Sequence, residues 1–123
     1  MSEDLNAILK VVSELPLYTS VRPLTVNSRN CVGDTPLHAA ATWGDCDAIR
    51  TLVEAGAEVN VVGELGDTPL HDAALQGNRS AFDLLLSLGA DSKIRNSNGA
   101  SAFEVGQRLH GWTGRIRSQR RKL

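Results

Sequence analysis

The chain has 123 residues, 41% of them apolar and 4% aromatic, with a net charge of −1. This fits one domain packed mainly by aliphatic side chains, and the lack of any run of about 18 apolar residues argues against a membrane span. The near-neutral total hides a split: residues 1–104 hold seven Lys or Arg and all fourteen Asp or Glu, whereas residues 105–123 hold six basic residues and no acid.

The N-terminal Met1-Ser2-Glu3-Asp4 is acidic and lacks the basic start of a secretory signal. Residues 2–15 read as a helix, with Ser2 as N-cap and Glu3 and Asp4 at the positive end of its dipole. Leu5, Ile8, Leu9 and Val12 form one apolar stripe, and Pro16 stops the helix. A short second helix is expected around Tyr18 to Arg22. Residues 1–23 therefore read as an N-terminal cap.

A period of 33 residues then governs the chain: Gly33-Asp34-Thr35-Pro36-Leu37-His38-Ala39-Ala40-Ala41 recurs as Gly66-Asp67-Thr68-Pro69-Leu70-His71-Asp72-Ala73-Ala74, and Gly99 opens a weaker third copy. Fixed periods of this length mark stacked repeats, whose units bury their apolar faces only against neighbours. Thr35 and Thr68 are expected helix N-caps, with Pro36 and Pro69 at the first helical position. Gly44 and Gly77 end these Ala-rich helices, and Asp45 and Asn78 are expected to cap second helices. The second helices carry Ile49, Leu52 and Val53, then Phe82, Leu85 and Leu86, on one face, and Gly56 and Gly89 close them. Val26-Asn27 aligns with Val59-Asn60, so the loop into Gly33 already follows the repeat. Repeats are assigned to 24–56 and 57–89.

Residues 90–123 read as a degenerate capping repeat and basic tail. Ser101-Ala102-Phe103-Glu104 replaces Thr-Pro-Leu-His, with Ser101 still able to cap and Phe103 able to fill the Leu slot. Gly111 ends this helix one place late. The tail Arg115, Arg117, Arg120, Arg121 and Lys122, with Ile116 as its main apolar residue, either solvates the end of the stack or meets an anionic partner, nucleic acid or acidic membrane.

These copies resemble the ankyrin repeat family over about residues 24–110. The resemblance implies an all-α solenoid of helix-turn-helix units joined by hairpin-like loops. It also implies that His38 and His71 bond loop backbone, and their recurrence once per unit favours such a structural task over metal or catalysis. Cys31 and Cys46 sit in no metal-ligand pattern, and with both thiols reduced the expected location is cytoplasmic. No nucleophile, base and orienting group come together in any motif, so neither enzyme activity nor a cofactor is expected.

Family members usually bind partners through loop tips and the concave face of the first helices. Carried over, this places a protein-binding surface at loop residues Val32, Asp34, Glu64, Leu65 and Asp67 and helix residues Thr42, Trp43, Asp72, Leu75, Gln76 and Arg108. Trp43 either packs on a neighbouring repeat or anchors a partner. Val32, Leu65 and Leu75 are expected to join it in an exposed apolar strip rimmed by Asp34, Glu64, Asp67 and Asp72. The expected molecule is a monomer that binds another protein without catalysis; masking an enzyme or toxin is one version of that. His110 is expected to face solvent.

Overall fold

A computed structural model describes residues 5–20 and 24–114. The Ser2 cap, Arg22 and the basic tail from Arg115 to Lys122 lie outside the described residues. Within them the fold is all-α: α1 (Leu5–Ser13), α2 (Pro36–Trp43), α3 (Cys46–Glu54), α4 (Pro69–Leu75), α5 (Arg79–Ser87) and α6 (Ala102–His110), with 3₁₀ turns at Pro16–Tyr18 and Glu64–Gly66. One isolated bridge, Arg95 to Ser101, closes the last loop.

α1 uses its predicted stripe: Ile8 and Val12 are buried, and Leu5 and Leu9 pack partly against the same core. Pro16 opens a 3₁₀ turn, so the described part of the expected Tyr18–Arg22 helix is not α-helical. Tyr18 is buried there and donates its hydroxyl to the Thr35 carbonyl at 2.8 Å, fastening this segment to the first repeat.

The first helices α2, α4 and α6 stack in one layer, and α3 packs on α5 in a second. Leu37, Ala40, Ala41, Leu70, Ala73 and Ala74 are buried between the layers with Ile49, Leu52, Phe82 and Leu85. The alanines allow the close helix approach that a short repeat requires. Gly44 ends α2 in a left-handed conformation (φ 73°). Asp45 caps α3 as expected, accepting from Ala48 N–H at 3.1 Å. Asn78, in contrast, makes no side-chain cap for α5. Its Nδ2 donates to the carbonyls of Ala41 and Thr42 at 3.3 and 3.0 Å, satisfying the end of the preceding first helix.

The histidines tie the layers in sequence. Thr35 N–H donates to His38 Nδ1 (3.0 Å) and Thr68 N–H to His71 Nδ1 (3.2 Å). A nitrogen that accepts cannot hold the ring proton, so that proton sits on Nε2. Nε2 then donates forward to the next loop: His38 to Asp67 C=O (3.0 Å), His71 to Ala100 C=O (2.9 Å). Asparagines add a second tie that recurs after 33 residues: Asn27 bridges Gly56 and Glu58, and Asn60 bridges Gly89 and Asp91.

The third copy ends the stack. Glu104 occupies the histidine phase and accepts from Ser101 N–H (3.0 Å), while Ser101 Oγ accepts from Glu104 N–H (3.3 Å). That backbone bond, with Arg95, holds the Glu104 carboxyl below its usual range. Trp112 folds back over the end of the core, edge-on to Phe82 with centroids 4.9 Å apart, with Phe103 beside both. The Arg79 guanidinium lies 5.0 Å from the Trp112 ring. Gly106 admits this indole, because a Cβ there would overlap it.

Two outcomes follow. His71→Ala leaves the Thr68 N–H and the Ala100 carbonyl without partners in a buried setting, so urea denaturation shows a loss of about 2–4 kcal/mol. Gly106→Ala displaces the Trp112 ring, read in a Trp43→Phe background as a red shift in fluorescence and as a loss of about 1–3 kcal/mol.

Candidate functional site: the face of the first helices

Because α2, α4 and α6 share one phase, their variable positions line up in rows: Ala39, Asp72 and Val105; Thr42, Leu75 and Arg108; Trp43, Gln76 and Leu109. Trp43 (42% exposed), Leu75 (44%), Leu109 (56%) and Leu65 at the neighbouring loop tip (68%) are large apolar side chains left open to solvent. Leu109 escaped the sequence reading. Its phase was legible from the 33-residue step, but the late Gly111 obscured the register at that end.

These residues do not form the single strip expected. They belong to two hollows on either side of α4. The first, of about 340 Å³, is lined by Trp43, Thr42, Ala39 and His38 of α2, by Asp34 and Asp72, and by Leu15, Leu17 and Tyr18 of the N-terminal segment. The second, of about 240 Å³, lies between α4 and α6 and is lined by Leu65, Leu75, Val105, Leu109, Asp67 and Arg108 among others. Val32 is half-buried, Glu64 and Gln76 are exposed, and all three lie outside both hollows. The contribution of residues 15–18 was also missed, since a non-periodic turn carries no phase to align.

Asp34 and Asp67 are partly committed to the scaffold. Asp34 Oδ1 accepts from Glu64 N–H at 2.9 Å, and Asp67 Oδ1 from Asn96 Nδ2 at 3.0 Å. Gly63 lets the first bond form, since a Cβ there would collide with the Asp34 carboxylate. Asp34 Oδ1 also lies 3.9 Å from His38 Nε2. Burial holds His38 below the usual histidine range, with Asp34 offsetting part of this, so the contact is to a neutral ring.

Asp72 is different. It is half-buried, and among the described residues no Lys or Arg forms an ion pair with it or with Asp34. Burial first, and then the carboxylates of Asp34, Asp67 and Glu64, raise its pKa to about 8. Burial and the same acids, Asp34 and Asp72, push the Tyr18 phenol upward.

Leu65 carries the other departure from ordinary chemistry. It sits in the left-handed region at φ 61°, ψ 21°, unlike every other described non-glycine residue. An L-residue with a branched side chain pays on the order of 1 kcal/mol there. Leu65 C=O accepts from Ser97 N–H at 3.0 Å, which holds the tip in place.

His110 is exposed but not idle: its Nε2 lies 3.0 Å from the Leu75 carbonyl, serving the end of α4 as Asn78 serves α2. Cys31 is exposed and Cys46 half-buried, both as free thiols. Among the described residues no group of three or more His, Cys, Asp or Glu side chains is placed to hold a metal, and no helix is long and apolar enough to cross a membrane.

Stacked helix pairs whose frame repeats within the chain, and whose first-helix face differs from copy to copy, define a repeat scaffold. A family model described as ankyrin repeats, in three copies, matches residues 6–96, and the chain belongs to that family. The match begins inside α1 and stops short of α6. Ankyrin repeats are generally protein–protein interaction modules and typically non-catalytic.

The raised Asp72 pKa has a stability consequence. A carboxyl whose folded pKa lies above its unfolded value of 3.8 favours folding fully below pH 3.8, and this is lost as pH rises through about 8. Asp72→Asn therefore matches wild type near pH 3.5 and exceeds it by at least ~1 kcal/mol at pH 8.5 in paired urea titrations.

Proposed function

We propose that the face built from α2, α4, α6 and the Leu65 loop binds another protein, and that it does so as a preformed monomeric surface without catalysis. The observation that carries this reading is the set of four large apolar side chains, Trp43, Leu65, Leu75 and Leu109, held open around two adjoining hollows. Scattered single leucines are ordinary on a protein surface, but apolar side chains gathered at concave sites mark contact regions. The strained Leu65 supports it further. A scaffold needing only a turn there is served better by glycine, so the leucine side chain itself has a use. Rigid presentation limits the ordering cost of association.

Of the residues expected at the site, this reading keeps Trp43, Thr42, Leu65, Leu75, Asp72 and Arg108 as contacts and gives Asp34 and Asp67 a shared structural role. Glu64 and Gln76 flank it as exposed polar neighbours, and Val32 is set aside. In this proposal the whole chain is one domain, with residues 1–23 and 90–123 as its ends. Two unpaired cysteines fit a reducing, cytoplasmic setting.

The test is a pull-down with wild type beside Trp43→Ala, Leu75→Lys and, on the opposite layer, Arg50→Glu. The first two lose the partner by tenfold or more and the third retains it. A partner held equally by all four proteins removes this face. Leu65→Gly separates strain from recognition: stability stays level or rises by up to about 1 kcal/mol, while partner affinity falls severalfold in a titration.

A further inference from the structure

The two hollows differ in chemistry, and the difference names a ligand. The one between α4 and α6 is walled by three open leucines, with a single Arg and a single Asp, and suits apolar side chains. The one beside α2 is apolar along Leu15, Leu17, Ala39 and Trp43 but ends on two carboxylates, Asp34 and Asp72. Asp34 spends one oxygen on the Glu64 N–H. Asp72 has neither an ion pair nor a side-chain hydrogen bond among the described residues.

We propose that this cleft receives a lysine or arginine side chain from the partner protein, its aliphatic stem along Leu17, Ala39 and Trp43 and its charge against Asp72 and Asp34. The inference rests on the concave face being the docking surface and adds the chemistry of what enters it.

Several observations converge on a long cation. The cleft, at about 340 Å³, is within the range that encloses a side-chain-sized ligand. Its walls match the methylene stem of a basic side chain, which packs on apolar surface while its head stays polar. Trp43 offers an indole to that head, and cations favour aromatic faces. The row comparison isolates the acid: the positions one repeat away from Asp72 are Ala39 and Val105, so the frame itself has no need of a carboxylate there. The neighbouring acids Asp67 and Glu64 deepen the negative potential and favour a positive partner. A divalent metal is a poorer match, because no third ligand group joins the two carboxylates among the described residues.

The experiment uses the full chain, labelled with ¹⁵N and held at pH 8.5, where the Asp72 carboxyl is ionised, and two pairs of probes. N-acetyl-lysine N-methylamide and N-acetyl-arginine N-methylamide are each titrated beside N-acetyl-norleucine N-methylamide, which has the stem without the charge. The basic amides shift the Trp43 indole N–H and the Ala39 and Asp72 amides saturably, with midpoints on the order of millimolar, and norleucine binds at least fivefold more weakly. Asp72→Asn, whose spectrum reports an intact fold, weakens the basic amides about tenfold. Trp43→Leu keeps an apolar wall and costs about two- to fivefold. Equal binding of norleucine, an unchanged midpoint in Asp72→Asn, or no shift with any probe overturns the proposal. If the probes fail while Trp43→Ala and Leu75→Lys still abolish partner capture, the cleft falls and the face stands. If the probes bind as described while both variants keep the partner, the cleft stands and the face falls.

Discussion

A buried imidazole with a fixed tautomer governs the architecture. His38 and His71 each accept a backbone N–H at Nδ1 from the residue that begins their own helix, which leaves Nε2 as a donor with one direction to go. The nearest acceptor is a carbonyl 29 residues on, in the next loop. One side chain therefore sets both the start of a helix and the height of the next unit. Losing either bond strands a buried polar group. The chain keeps its phase because the cheapest way to satisfy these groups is to stack in register. Glu104 marks the last step for the same reason: its carboxylate can receive the Ser101 N–H but has no proton to hand forward.

That constraint explains what was legible in the residues alone. The helix starts at Thr35, Thr68 and Ser101, the glycine stops and the α1 stripe are local signals repeated in phase, and all were readable. Asn78 was misread because a good capping residue next to a helix start has two possible uses, and only the neighbouring repeat decides between them; the open carbonyls of Ala41 and Thr42 claimed it. Val32 and the Pro16–Tyr18 turn were unreadable for a related reason. Neither sits on a periodic element, so their burial depends on the path of the chain between elements rather than on spacing. Leu109 was readable in principle, by counting from Trp43 and Gln76, and was lost to a one-residue shift at the end of α6.

The site divides in the same way. Which residues line the face was largely legible, because the rows follow from the period. Its partition was not. Whether Trp43 and Leu65 share one strip or belong to separate hollows depends on α4 standing between them and on the N-terminal turn walling one side. The acids show this most plainly. By sequence Asp34, Asp67 and Asp72 are equivalent rim charges, yet two of them bind neighbouring loops and the third does not.

The frame and the face can thus be told apart by cost. Frame residues lower the free energy of the fold: the histidines, Asn27, Asn60 and the alanines are satisfied or packed. Two face residues raise it. Leu65 holds a backbone conformation that glycine would occupy without strain, and Asp72 holds a carboxyl whose ionised form is disfavoured by burial and by three nearby acids. Natural sequences tolerate such local conflicts chiefly where a ligand relieves them or a partner uses them. The two lie at different hollows and involve different physics, one backbone strain and one desolvated charge. Their common property is position, on the surface formed by the first helices and the loop tip beside them, and that is the argument for a face that meets an apolar and basic partner rather than a stack that exists only to be stable.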